Sequence, residues 1–362
     1  MIGRAKLEMY FDIPIWLALA FVAIGLYVLA RSADIFVGGA EAVTRALGVS
    51  PFIIGMVMIG FGTSAPELAV SALPGIGGHS NLSLGNAYGS NIFNIAAILG
   101  VAALIRPIAV RPVVVFAAVP MLTIASVASC LLVYLGGGFS RMDGVWCLVL
   151  FAVLLPLYCY IDQKEKVGTD SDNGEVLSCR HPSFALVGGL VLLVASSHIL
   201  VWGAVGIARS FGVSELLIGL TIIAAGTSLP ELASAVASAR RGQNELTLGN
   251  IIGSNFFNAL AVVGTSGAVS PFKDVSPHVF TRDLPVMLLL TLSIGIFGLN
   301  FNKPRSQGSI ARHCGIIWLF ALVGYLSLLA RQEVLPVYDS PRLTKQTLPH
   351  PRFALSAIEA KG

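Results

Sequence analysis

Long apolar stretches separated by short polar connections are the strongest pattern in the chain. A helix needs about 20 predominantly apolar residues to cross a bilayer. Judged by this length, the hydrophobic pattern predicts about ten membrane-spanning helices. They cover residues 13–44, 50–74, 80–105, 112–135, 143–162, 183–208, 214–238, 245–269, 281–300 and 312–331.

The composition supports a membrane protein. Of the 362 residues, 55% are hydrophobic and only 12% are charged, whereas a soluble domain carries about 25% charged residues. The net charge of +4 is small and dispersed, so it gives no indication of a nucleic-acid partner. The five cysteines show no metal-ligand spacing and are interpreted as packing residues. We therefore predict an all-α integral membrane protein whose partner is the lipid bilayer.

An internal repeat divides the chain. A shift of 164 residues, the interval from Glu67 to Glu231, aligns 55–100 with 219–264 without a gap, and nearly half of the positions are identical. GTSAPELA at 62–69 corresponds to GTSLPELA at 226–233, and LSLGNAYGSNIFN at 82–94 to LTLGNIIGSNFFN at 246–258. Because the first span also has a counterpart in the second half, we interpret it as a structural helix and not as a cleaved leader.

Each half holds five predicted spans. Two similar halves with an odd number of spans enter the membrane from opposite sides, which predicts inverted repeats with a site between them near the midplane. The predicted organisation is a first half, a polar linker, a second half and a polar tail. Their bounds are 1–162 (repeat core 50–105), 163–182, 183–331 (repeat core 214–269) and 332–362.

Basic residues predict the orientation. If the N-terminus is outside, most Lys and Arg of the loops lie on the inside, as the positive-inside rule requires. We expect a multi-pass protein of a plasma membrane of the bacterial inner-membrane type, with both termini outside.

GTSxPE combines a helix break with oxygen donors. Pro66 lacks an N–H and interrupts the helix, so the carbonyl of Gly60 is expected to lose its donor and become a free ligand. Thr63 and Ser64 add hydroxyls, and Glu67 follows one turn after Thr63. The second repeat supplies the same set from Ala224 (carbonyl), Thr227, Ser228 and Glu231.

The second segment that the two repeats share adds further oxygens. Ser90 and Asn94 are four residues apart and share a helix face, as do Ser254 and Asn258. The glycines around them (Gly85, Gly89, Gly249 and Gly253) are expected to allow close helix approach. A set with two carboxylates and neither thiol nor imidazole suits hard cations such as Ca²⁺. One Ca²⁺ neutralises two glutamates, whereas three Na⁺ leave one positive charge.

Several other interpretations are possible. An isolated intramembrane glutamate can be a packing or ion-pairing residue, but its repetition in the same context argues against this. GNxxGSN taken alone can be a helix-packing motif. The pattern is neither a phosphate loop, which needs a Walker lysine, nor a GxSxG nucleophile elbow. Asp34 and His198 occupy equivalent places in the first spans of the two halves and are interpreted as interfacial residues, with a gating role as the alternative.

The paired motifs GTSxPE and GNxxGSNxFN resemble the α-repeats of the calcium/cation antiporter superfamily, and of its prokaryotic sodium/calcium exchanger-like branch most closely. This resemblance implies ten helices, a central ion site, and first helices that slide across the core. By position it implies ion ligands in both repeats, with Thr63 and Thr227 acting through backbone oxygen and Ser90 and Ser254 helping to hold Na⁺. These ligands are Gly60, Thr63, Ser64, Glu67, Ser90 and Asn94, then Ala224, Thr227, Ser228, Glu231, Ser254 and Asn258.

Three positions bear on the coupling ion. Some relatives carry Asp where this chain has Asn258, which leaves K⁺ co-transport open. The proton-driven branch carries Glu where this chain has Tyr88 and Ile252, which disfavours proton coupling. The sequence therefore predicts a Na⁺/Ca²⁺ antiporter that is not an enzyme, with no cofactor and with Ca²⁺ and Na⁺ as transported ions. The alternatives are an H⁺- or K⁺-coupled Ca²⁺/Mn²⁺ antiporter of the same fold and a membrane protein that has lost transport.

Overall fold

The fold was analysed in a computed structural model. It describes residues 13–68, 80–135, 138–166, 181–213, 218, 222, 224–269, 271–273, 275–303 and 305–329. Residues 167–180 of the predicted linker 163–182, Cys179 among them, lie outside these residues. The N-terminal segment 1–12 and residues 330–362, which include the predicted tail 332–362, lie outside them as well.

The first half begins with the long helix α1 (Ile15–Leu47), which ends where Gly48 adopts φ 63°. Ser50 then caps α2 (Pro51–Thr63) by accepting a hydrogen bond from the Ile53 N–H at 3.3 Å, and Pro51 occupies the first turn. Helix α3 covers 80–105, α4 covers Val114–Leu135 and α5 covers Arg141–Lys166.

The second half repeats this order. Helix α6 is Pro182–Ser210, α7 is Ala224–Thr227 and α8 is Leu229–Arg240. Helices α9 (Asn244–Val269), α10 (Val279–Gly298) and α11 (Arg312–Leu329) follow. Within the described residues, eight helices are long and apolar enough to span a membrane. Of the remaining two predicted spans, 50–74 and 214–238, the described residues include helix α2 in the first and helices α7 and α8 in the second. The prediction of a helical membrane protein with about ten spans is confirmed.

Helix ends differ from the predicted bounds by a few residues. Helix α5 continues to Lys166, so the first residues of the predicted polar linker are helical. The chain also separates into two compact units, Met1–Leu322 and Val323–Gly362. Of the second unit, the described part is 323–329, the end of α11.

Within the part of the chain that the structure describes, four short strands connect the two halves. Strand β1 (Ile108–Val110) pairs antiparallel with β4 (Gly308–Ile310), with Ile108 opposite Ile310. Strand β2 (Gly138–Phe139) pairs antiparallel with β3 (Phe272–Lys273). Each pair joins one strand from the first half to one from the second, so both pairs fasten the repeats together.

Helices α1 and α6 form an antiparallel pair through glycines at equivalent positions. A Cβ at Gly25 would lie 2.8 Å from the Leu200 backbone nitrogen, and a Cβ at Gly189 would lie 2.7 Å from the Phe36 Cα. Real Cβ atoms do not approach this closely, so the two backbones touch. Large apolar side chains on the outer faces of several helices are exposed, as expected for helices that contact lipid (among them Trp16, Tyr27, Phe184 and Phe320).

Candidate ion-binding site

The helix breaks occur at equivalent serines. Ser64 adopts φ −82° and ψ 1°, and Ser228 adopts φ −91° and ψ 6°, values of the sparsely populated bridge region that recurs in functional sites. Pro66 and Pro230 follow two residues later and cannot donate a backbone hydrogen bond. The two repeats therefore break their helices in nearly the same geometry.

One detail of the predicted break is wrong. The Gly60 carbonyl was expected to lose its donor, but it accepts the Ser64 N–H at 3.0 Å. Because the Pro66 ring nitrogen lies two residues further along, the carbonyl that it deprives by helical spacing is that of Gly62. In the second repeat the Ser228 N–H bonds to Ala225 at 3.2 Å instead of Ala224, so the two breaks are not identical.

Glycines bring α2 of the first repeat against α9 of the second. A Cβ at Gly60 would lie 2.9 Å from the Ser254 nitrogen, and a Cβ at Gly253 would lie 2.5 Å from the Met56 carbonyl oxygen. The Ser254 hydroxyl reaches the Gly60 carbonyl at 3.4 Å. The predicted close approach at Gly249 and Gly253 is therefore present. Gly85 and Gly89 have no described atom within 4 Å, and the segment equivalent to α2, 214–223, lies mostly outside the described residues.

The two glutamates are buried and paired across the repeats. Glu67 and Glu231 are each 1% exposed, and their charges interact. The Ser64 hydroxyl donates to Oε1 of Glu231 at 3.3 Å, while the Ser228 hydroxyl hydrogen-bonds to Glu67. Each carboxylate is thus held by the serine of the other repeat. Within the described residues, the Oε2 atom of each glutamate is buried without a hydrogen-bond partner.

The threonines are placed less symmetrically. Thr63 is fully buried, and its hydroxyl donates to the Ile59 carbonyl at 3.0 Å. Thr227 is half-buried. Ala224 begins α7, and its side chain lies outside the described residues. The first repeat therefore contributes the more enclosed part of the site.

The predicted serine and asparagine ligands lie in the buried interior. Ser90, Asn94, Ser254 and Asn258 are at most 7% exposed. Asn94 and Asn258 each lie in or directly at a π-helical turn, Asn94–Leu99 and Phe257–Val262, a feature frequent at functional sites. Within the described residues, Oδ1 of Asn94 and both amide atoms of Asn258 lack hydrogen-bond partners. Buried amide atoms without partners are costly, so these groups are suited to a ligand.

Three asparagines of the site were missed by sequence reasoning. Asn91 and Asn255 are equivalent residues, and each donates through Nδ2 to the backbone carbonyl of the other, at 3.1 and 3.2 Å. The Asn94 amide donates to Oδ1 of Asn255 at 3.0 Å. Asn250 donates to Ser234 at 2.9 Å and to the Glu231 carbonyl at 3.4 Å. The signal that could have found them was their presence in both copies of GNxxGSN.

At the first position where the proton-driven branch carries glutamate, this chain has a tyrosine whose side chain is directed toward α4. Tyr88 is buried, and its hydroxyl contacts the Ser129 hydroxyl of α4 at 3.1 Å. Ile252 is also buried. Neither side chain adds an ionisable carboxylate beside the two glutamates. The assembled groups are carboxylate, hydroxyl, amide and carbonyl oxygens, the ligand set that Ca²⁺ and Na⁺ prefer over soft metals.

Comparisons with known proteins agree with this geometry. A family model described as "Sodium/calcium exchanger protein" matches residues 17–159 and 181–331. The chain is 41% identical to CaxA of Alkalimonas amylolytica over 318 residues, covering 86% of this chain and 98% of the relative. It is 37% identical to the inner membrane protein YrbG of Escherichia coli over 322 residues, covering 86% and 98%.

Two further relatives are named as exchangers. The sodium/calcium exchanger MaX1 of Methanosarcina acetivorans is 30% identical over 354 residues, covering 84% of this chain and 96% of the relative. A solved structure of the sodium-calcium exchanger NCX_Mj superimposes with a TM-score of 0.74 at 30% identity, covering 87% of this chain and all of that one. The chain therefore belongs to the sodium/calcium exchanger family, a family of multi-pass membrane antiporters and not of enzymes.

Proposed function

We propose that the chain exchanges Na⁺ for Ca²⁺ by alternating access, with Glu67 and Glu231 as the shared carboxylate ligands of both ions. The observation that carries this proposal is the pairing of two fully buried glutamates, each bonded to the serine of the other repeat and each with one oxygen that has no described partner. A pair of buried charges is costly without a counterion. A divalent cation supplies that counterion.

The remaining ligands complete an all-oxygen shell in this proposal. Thr63 and Thr227 contact Ca²⁺ through backbone oxygen, and Ser90 and Ser254 help to hold Na⁺. The carbonyls of Gly60 and Ala224 and the side chains of Ser64, Ser228, Asn94 and Asn258 supply further oxygens. Gly60 can still serve, because a carbonyl oxygen has two lone pairs: the Ser64 N–H uses one, and the other is freed when the Ser254 hydroxyl, now 3.4 Å away, turns toward the ion.

Charge favours exchange over leak. Without ions the site holds two buried negative charges. The conformational change that transfers this charged site from one membrane face to the other therefore has a high free-energy cost. One Ca²⁺ neutralises the site, whereas three Na⁺ give it one positive charge, so the exchange is electrogenic. We propose that α1 and α6, packed backbone to backbone, slide as one body across the core helices. The relative YrbG is named an inner membrane protein, which supports a bacterial-type inner membrane for this chain.

The test uses proteoliposomes loaded with Na⁺ and supplied with external ⁴⁵Ca²⁺. We expect Ca²⁺ uptake that requires the outward Na⁺ gradient and responds to an imposed membrane potential. Uptake that follows an H⁺ or K⁺ gradient instead would support the alternative antiporters and refute Na⁺ coupling. Absence of uptake under every gradient would favour the non-transporting alternative.

The two glutamates are tested by single amide substitutions. Glu67→Gln and Glu231→Gln each remove one of the two negative charges that attract the cation, and we expect Ca²⁺ binding to weaken at least about 100-fold. Glu165→Gln is the matched control, because Glu165 is exposed at the end of α5 and its change should leave uptake intact. Unchanged uptake in both site variants would show that the ion binds elsewhere.

A further inference from the structure

A buried glutamate outside the ion site links the first helix to the core. Glu41 lies on α1 and is 9% exposed. Its Oε1 atom accepts from Arg45 Nη2 at 2.6 Å and from Gln243 Nε2 at 3.1 Å. Its Oε2 atom lies 4.0 Å from Arg241 Nη1. Arg45 belongs to the same helix, but Arg241 and Gln243 belong to the turn between α8 and α9, so the carboxylate joins two separate elements.

Arg241 makes a second attachment on the same helix. Its Nη2 atom donates to the Asp34 backbone carbonyl at 2.8 Å and lies 3.7 Å from the Asp34 carboxylate. A Cβ at Gly38 would lie 3.1 Å from Arg241 Nη1, so the guanidinium rests against the helix surface at a position where a side chain is missing. The Asp34 and Glu41 contacts together span two turns of α1.

The equivalent positions on the other side of the pseudo-symmetric repeat carry different residues. Across the repeat, Asp34 and Glu41 correspond to His198 and Val205, and Arg241 corresponds to Gly77. The sequence of α6 contains no Asp or Glu, and residues 68–105 contain no Lys or Arg. The inverted repeats therefore share their motifs at the ion site but differ in charged residues at the positions where α1 meets the turn between α8 and α9.

We propose that Arg241 and Gln243 are positioning residues of the transport cycle, which hold α1 against the core at the membrane face where α1 ends and so favour the conformation closed to that face. This inference rests on the proposed alternating access. Sliding of α1 toward the other conformation separates Glu41 and Asp34 from the turn and breaks these contacts. The contacts therefore shift the equilibrium between the two conformations without touching the ion.

The test is the apparent Ca²⁺ affinity at each membrane face, measured in vesicles of both orientations. The affinity at a face is reduced by the fraction of protein open to that face. Arg241→Met should lower half-saturation about three- to tenfold at the face where α1 ends, which matches the net contribution of one hydrogen bond, and should raise it at the other face. Glu41→Gln should shift both values in the same directions, and Arg241→Lys should shift them less.

Arg240→Met is the matched control, because Arg240 is the exposed neighbour and its loss should change neither face. A purely structural role of Arg241 would lower the amount of folded protein and the maximal rate, without opposite shifts at the two faces. Equal or absent shifts in both Arg241→Met and Glu41→Gln would overturn the inference. If the opposite shifts occur but Ca²⁺ uptake does not depend on Na⁺, the positioning role stands and the proposed coupling ion is wrong.

Discussion

Gly253→Ala tests whether the contact between α2 and α9 sets the geometry of the ion site. The added Cβ would lie 2.5 Å from the Met56 carbonyl oxygen and 2.6 Å from its Cα. Favourable carbon contacts begin at about 3.5 Å, so the two helices must separate by roughly 1 Å. Overpacking of this kind costs about 1–3 kcal/mol, and the better helix propensity of Ala recovers up to about 1 kcal/mol. The stability change is therefore modest.

The effect on the site should be larger than the effect on stability. Ser254 follows Gly253 directly, and its hydroxyl already reaches the Gly60 carbonyl at the long distance of 3.4 Å. A shift of roughly 1 Å removes this contact and displaces both oxygens. We expect Ca²⁺ half-saturation to rise roughly five- to tenfold, the equivalent of about 1 kcal/mol.

The assay combines thermal unfolding in detergent with ⁴⁵Ca²⁺ uptake in proteoliposomes. Gly188→Ala is the matched control, because Gly188 is an exposed helical glycine of α6 with no described atom within 4 Å of a Cβ. The control should raise the unfolding temperature slightly and leave half-saturation unchanged. The reasoning is refuted if Gly253→Ala behaves like this control in both measurements.

Three further outcomes are expected. Ser64→Ala and Ser228→Ala should each weaken Ca²⁺ binding about five- to tenfold, because each removes a hydrogen bond to the glutamate of the other repeat; equal half-saturation in ⁴⁵Ca²⁺ uptake would contradict the crossed pairing. Asn258→Asp should add one monovalent cation to each cycle, because the site then holds a third negative charge; an unchanged reversal potential would count against Asn258 as a ligand. Arg111→Met should destabilise the protein by about 3–5 kcal/mol, because Arg111 pairs at 2.6 Å with Asp162, whose side chain is fully buried; a thermal unfolding temperature equal to that of the unmodified protein would contradict this.

The architecture was predictable because it depends on local composition. The length of an apolar stretch identifies a membrane-spanning helix without knowledge of the helices that pack against it. The 164-residue repeat identifies the two inverted halves. The helix break was predictable at Ser64 and Ser228, since Pro66 and Pro230 disrupt the backbone wherever the helices pack. The fate of the Gly60 carbonyl was misjudged, because the effect of Pro66 was assigned to Gly60 when helical spacing assigns it to Gly62.

Contacts between distant segments were not predictable from the sequence. The reciprocal bonds of Asn91 and Asn255 form because the pseudo-twofold axis brings equivalent residues together, and no local pattern indicates which asparagine lies on that axis. The attachment of Arg241 to Asp34 likewise depends on how α8 packs against α1. Asp34 was interpreted as an interfacial residue with gating as the alternative. The periodicity of apolar residues could not identify Arg241 as its partner.

The strand pairs that fasten the halves together have a consequence for biosynthesis. Strand β1 cannot find β4 until about 200 further residues have been made, and contacts of such long sequence separation form slowly. During that interval the first five helices reside in the membrane with Glu67 lacking its partner repeat. In such an intermediate the backbone of β1 has no partner strand, and the Glu67 carboxylate lies in the membrane without the second repeat. Both features promote misassembly. We expect the nascent first half to be a short-lived species that depends on prompt arrival of the second, and a chain truncated before α6 to be degraded and not to accumulate.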